Sequence, residues 1–200
     1  MKKLFLFGLI ILLVIGSWLV FLNLQRTKNP AFHQAVTESS LPEKQMTTET
    51  QASLFLVPQN SQLVVDQNLS LEIRLTGQNL SLSGIALHLS YPFDKIPPLQ
   101  PQSTKIQPNS DWQQQGWIYP INKVWVDWQN KTVNLELAAV NPTLTGFQLN
   151  GEDILGTIEL TAEAAIENLI LAFDPQQTKL TTKDNQKVKL NFLTGIYQIK

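Results

Sequence analysis

The sequence predicts an all-β fold: a two-sheet antiparallel jelly-roll sandwich at residues 53–200, preceded by a single N-terminal transmembrane helix and a flexible linker. Three observations carry this. Residues 4–24 are an uncharged, mostly apolar run, residues 25–52 hold too few apolar side chains to build a core, and from residue 53 onward apolar residues recur with a period of two. The 43% hydrophobic content and net charge of −1 for 200 residues therefore average over three unlike segments.

The apolar run is 21 residues long. As a helix it would extend roughly 31 Å, the thickness of a bilayer's hydrocarbon core. It ends in Asn23-Leu24-Gln25-Arg26 without the small-residue pattern of a cleavage site, so an uncleaved anchor is favoured over a signal sequence. Lys2 and Lys3 precede the run, and Arg26 and Lys28 follow it. With the terminal amine they place the N-terminus in the cytoplasm and residues 25–200 outside it, a single-pass arrangement. Residues 25–52 are rich in Thr, Ser, Glu and Gln. They read as a disordered tether with a reach of about 30 Å.

Beyond the tether, Leu69, Leu71, Ile73 and Leu75 alternate with Ser70, Glu72, Arg74 and Thr76, and Ile85, Leu87, Leu89 and Tyr91 alternate with Ala86, His88 and Ser90. Each segment thus offers one apolar face and one wet face. Further strands are expected at 54–57, 63–65, 124–128, 133–140, 154–162, 169–173, 179–182 and 195–199. Turn chemistry separates them at 58–60, 76–79, 129–131, 150–153 and 183–185. No segment sustains a helical period, and 163–168 allows one helical turn at most. Residues 95–121 form a Pro- and Gln-rich connector without sheet alternation. Many short strands with no helices to cover a sheet imply two sheets packed face to face.

Composition removes several chemistries. The chain has no cysteine and two histidines, His33 and His88, in different regions, so thiol catalysis, cysteine metal sites and a histidine pair are excluded. Residues 53–178 carry five Lys/Arg against twelve Asp/Glu, which disfavours nucleic acid. The tail from 179 reverses sign, with five lysines against Asp184. No pair of carboxylates stands out for glycoside hydrolysis. Asp66, Glu152, Asp153 and Asp174 could supply oxygen ligands to calcium, but no Asp-rich loop groups them. No catalytic residue, no metal site and no cofactor is expected.

The strongest local anomaly is aromatic. Four of the five tryptophans fall between Trp112 and Trp128. If Val124, Val126 and Trp128 face the core, Trp125 and Asp127 face outward. Trp112, Trp117, Tyr119, Trp125 and Asp127 are thus the candidate binding residues, the rings stacking on sugars or anchoring a protein interface. The alternative for Trp112 and Trp117 is that they fold the long connector back onto the sandwich.

Several stretches together resemble a cohesin domain. They are Ser53-Leu54-Phe55-Leu56-Val57-Pro58, the strand at 69–76, Ser83-Gly84-Ile85-Ala86-Leu87-His88-Leu89-Ser90-Tyr91-Pro92, Leu155-Gly156-Thr157-Ile158-Glu159-Leu160, the strand from Leu169 to Lys179, and Gly195-Ile196-Tyr197-Gln198-Ile199. The corner Tyr91-Pro92-Phe93-Asp94 displaces the aspartate of the family's Tyr-Asp-Pro-like corner, and the 95–121 connector is an elaboration. The resemblance implies a noncatalytic jelly-roll module that binds a dockerin-type protein. The alternative is a polysaccharide-binding sandwich of the same superfamily, and a structural envelope subunit is a further one. None of the family's partner-contacting positions falls in a matched motif, so none is carried over.

Overall fold

Leucines spaced two apart favour extended backbone with one buried face, and residues 69–75 and 85–91 do form strand. They are parts of the same strand. The computed structural model describes residues 50–200. The expected membrane span and residues 25–49 of the linker lie outside that range.

The strands are β1 (Thr50–Val57), β2 (Asn60–Leu63), β3 (Asn68–Pro92), β4 (Leu99–Pro101), β5 (Gln107–Pro108), β6 (Ile118–Asp127), β7 (Thr132–Val140), β8 (Phe147–Ala162), β9 (Ile166–Phe173), β10 (Lys179–Thr182), β11 (Val188–Phe192) and β12 (Gly195–Ile199). One short helix, α1 (Ser110–Gln114), sits in the connector. The domain begins three residues earlier than expected, because Thr50, Gln51 and Ala52 pair with β11.

β3 organises the rest. Its first half lies between β1 and β8, and β8 continues to β4 and β5. Its second half lies between β7 on one side and β10 and β9 on the other. β6 extends that layer beyond β7, and β12 and β2 extend it beyond β9. The strand doubles back. Asn68 at its start pairs with Thr161, while the Tyr91 hydroxyl near its end donates to the Leu99 carbonyl, and Leu99 pairs with Ala162. Both ends of β3 therefore sit at one end of the sandwich, and the segment around residues 77–84 sits at the other.

The residues 76–79 and 150–153, expected as turns, are not turns. They face one another within β3 and β8, with Gly77 opposite Gly151 and Leu80 opposite Leu149. β3 thus holds one more residue than β8 over that span, a β-bulge, with Asn79 at φ 55°. One extra residue flips the side-chain phase. Burial flips with it: Leu69, Leu71, Ile73 and Leu75 are inside before the bulge, Leu80 and Leu82 after it. A second extra residue in β3, at Ser83 against β10, moves the buried set to Ile85, Leu87, Leu89 and Tyr91. A third, Leu155 of β8, shifts that strand from Phe147 and Leu149 to Ile158, Leu160 and Ala162.

The expectation of a purely antiparallel sandwich is corrected at two edges, where β1–β11 and β12–β2 are parallel pairs. Residues 163–168 make no helical turn, since β9 already begins at Ile166. The 63–65 strand ends at Leu63, leaving Val64 and Val65 exposed. The connector is not structureless. β4 and β5 run along β8, and Gly156 is the point of closest approach, where a Cβ would stand 2.8 Å from the Gln107 carbonyl oxygen and 2.9 Å from Ile106. Gly156→Val is therefore expected to lift β5 off β8 and cost about 1–3 kcal/mol of stability in urea unfolding. An unchanged midpoint would contradict this packing.

Candidate functional site

In the second half of β3 the odd-numbered side chains are buried, so Ala86, His88 and Ser90 face out. The same alternation turns Asn134, Glu136 and Ala138 of β7 outward, with Lys123 and Trp125 of β6. Register arranges them in rows across the sheet. Trp125, Asn134, Ser90 and Ala172 form one row; Lys123, Glu136 and His88 the next; Ile121, Ala138, Ala86 and Lys179 a third; Ile118, Val140, Gly84 and Thr181 a fourth. Small residues, Gly84, Ala86, Ser90, Ala138 and Ala172, alternate with the larger side chains of these rows. Ile118, Ile121 and Val140 stand exposed at one end of it.

The centre is polar and tightly arranged. Lys123 Nζ is 2.6 Å from Glu136 Oε2 and 4.3 Å from the centre of the Trp125 ring. This couples an ion pair to a cation–π contact. The hydrogen bond and the charge of Lys123 hold the Glu136 carboxyl below the ordinary carboxylate range. His88 Nδ1 lies 3.4 Å from Glu136 Oε1, and the imidazole meets Trp125 edge-on at 6.5 Å. His88 is thus a cross-strand residue opposite Glu136, on the wet side, as the alternation predicts.

The five candidate residues separate. Trp112 is 1% exposed and Trp117 is 3% exposed. Their rings lie 4.6 Å apart, and Phe147 is 4.5 Å from Trp112. The Asn109 side chain starts α1 by accepting from the Asp111 amide and pins it to β8 by donating to the Ile154 carbonyl. Burial therefore removes Trp112 and Trp117 as surface contacts: they are the anchors of the connector. Tyr119 packs half-buried against the core with its hydroxyl unpartnered, and burial pushes its pKa up. Asp127 caps a turn, its carboxylate accepting from the Gln129 and Asn130 amides and from the Asn130 side chain. Those bonds hold its pKa down, and they commit it to the turn rather than to a ligand.

Trp125 and Asp127 both lie on the outer side of β6, as the alternation requires, but of the two Trp125 alone is free of the turn. Trp128 reverses its expected side because β6 ends at Asp127; the ring is 61% exposed and meets Phe93 edge-on at 5.3 Å. Of the four carboxylates considered as calcium ligands, Glu152 pairs with Arg74, Asp153 accepts from the Ile154 amide and Asp174 caps the turn at Gln176, while Asp66 stands exposed at φ 70° in the turn before β3. Ile118, Ile121 and Val140 were not singled out in the sequence. The available signal for Ile121 was an apolar residue two positions before Lys123, on the side opposite Val124.

No family model matches the chain, and no curated protein matches it in sequence. Solved structures do match. The CaCohA2 module of Clostridium acetobutylicum, in a complex, superposes with a TM-score of 0.55 at 13% identity, over 76% of this chain and 99% of that one. A cohesin from a Clostridium thermocellum cohesin–dockerin complex gives a TM-score of 0.53 at 8% identity, over 75% and 99%. The cohesin module of a family 33 glycoside hydrolase from Clostridium perfringens gives 0.53 at 13%, over 77% and 98%.

The fold is cohesin-like.

Within this cohesin-like domain, burial assigns Trp112 to stability and Trp125 to the surface. Trp112→Ala is expected to cost about 3–5 kcal/mol in urea unfolding, and Trp125→Ala about 1 kcal/mol or less. Equal losses would contradict the assignment.

Proposed function

We propose that the cohesin-like domain is a noncatalytic module that binds a protein of the dockerin type through the outer face of β6, β7 and the second half of β3. The observation that carries this reading is the face itself. It joins exposed apolar residues Ile118, Ile121 and Val140 to a charged centre, Lys123 and Glu136, with small side chains at Ala86, Ser90 and Ala138 between the larger ones. An apolar patch beside oriented polar groups suits a protein surface better than a small substrate. The solved cohesin–dockerin complex of the same fold supports a protein partner. Residues 4–24 hold the module at a membrane, with the domain on the outer side of it.

The polysaccharide alternative has lost its main support. It needs exposed rings at Trp112, Trp117 and Trp125, whereas Trp112 and Trp117 are buried and the Trp125 ring carries Lys123 over it.

The test is affinity capture with the detergent-solubilised full chain from extract of its own organism. Wild type should retain a defined protein, Ile121→Asp should lower its affinity at least tenfold, and Trp128→Ser, away from the face, should leave it unchanged. Equal retention by wild type and Ile121→Asp would contradict the assignment of the face.

A further inference from the structure

The unusual group on this face is His88. Its side chain is 13% exposed, and Nδ1 is buried without an aligned hydrogen bond although a carboxylate oxygen lies 3.4 Å away. A proton on that nitrogen would point at an ionised carboxylate and could donate to it.

The charged groups around it are few. From β7 Glu136 faces it. From β6 Lys123 shares Glu136 and sits over Trp125. From the segment between β9 and β10, Asp174 is close enough for the His88 charge to act on it, and its amide donates to the His88 carbonyl. From β10, Lys179 pairs in register with Ala86, two residues along the same face. Its own strand adds no other charge there, since the neighbours on that face are Ala86 and Ser90. Around a neutral imidazole, these two carboxylates and two ammonium groups balance. Around an imidazolium, one positive charge is left over.

Resting on the proposed role of this face, we propose that His88 is a proton-operated switch at its centre: the neutral imidazole leaves Lys123 seated between Glu136 and Trp125, and protonation draws Glu136 toward Nδ1 and unseats Lys123. The argument is one of competition. Glu136 now receives Lys123 at Oε2 and offers Oε1 to His88. An Nδ1–H donor brings a charge-assisted hydrogen bond to the vacant oxygen. It also places a second cation beside Lys123, whose hold on Glu136 then weakens. Imidazoles titrate between pH 5 and 8, while Glu136 stays ionised through that range because Lys123 keeps its pKa low. The sign follows. At the upper end the face is neutral and its Lys123–Trp125 contact is made. At the lower end it carries an unmatched positive charge that an apolar partner surface would have to bury.

Trp125 reports the switch without any partner, so this test is independent of whether the face binds a dockerin-type protein. The full chain, 15N-labelled at tryptophan in detergent micelles, is titrated from pH 8 to pH 5, with the Trp125 indole N–H assigned by Trp125→Phe. The expected result is a Trp125 shift whose midpoint coincides with that of the His88 imidazole followed on the same sample, while the buried Trp112 and Trp117 signals stay fixed. His88→Gln should abolish the Trp125 shift. A Trp125 signal that stays constant through the His88 midpoint would overturn the proposal, as would the same shift in His88→Gln. Because the imidazole itself meets Trp125 edge-on, the same titration is run on Lys123→Met, which has no ammonium to unseat: a Trp125 shift of equal size there would overturn the proposal, and a shift reduced at least twofold supports it, so the test does not depend on the His88 variant folding.

Discussion

One strand has to serve two layers. β3 runs 25 residues and doubles back so that its halves lie in different neighbourhoods, yet a strand's side chains alternate strictly and cannot follow such a change unaided. The bulges at Gln78–Asn79 and at Ser83 each insert a residue and flip the phase. Without them, the alternation that buries Leu75 would expose Leu80 and Leu82. Fully burying each such side chain is worth about 1.5–3 kcal/mol, so the phase is strongly held. The consequence for recognition is direct: the second bulge decides that Leu87 and Leu89 go inward and that His88 and Ser90 look out.

The connector then decides which surfaces remain free. Trp112, Trp117 and Phe147 form an aromatic wedge that holds residues 107–117 against β8. Asn122 exchanges two hydrogen bonds of 2.8 Å with the backbone of Ile106, as a strand neighbour would. That cover blunts the outer edge of β6, an edge that would otherwise invite another strand. What it leaves open is the broad face of the layer rather than its rim.

Much of the fold was legible because period two is a physical signature of a half-buried sheet. Residues 69–75, 85–91 and 133–140 behave as their alternation requires. The errors cluster where a local signal has two meanings. Gly77-Gln78-Asn79 and Asn150-Gly151 carry turn chemistry, but positive φ serves a bulge as well as a turn. β11 was readable in principle from Val188, Leu190 and Phe192; its parallel pairing to β1 was not, because pairing direction is set by distant partners. The candidate site was legible by half. Alternation placed Trp125 outside correctly. It failed for Trp128, because the Asp127 side chain ends the strand one residue earlier, and tryptophan clustering alone does not separate an anchor from a contact at Trp112 and Trp117.

The exposed face thus depends on the same bulges that keep the core dry, and its apolar end, charged centre and histidine are carried on three adjacent strands. The most direct test is hydroxyl-radical footprinting of the full chain with and without its captured protein partner. The account predicts that bound protein protects Ile118, Ile121, Trp125 and Val140 and leaves Trp128 and Leu193 as reactive as in the free chain. Protection of Trp128 or Leu193 with Ile121 and Trp125 unchanged would contradict it.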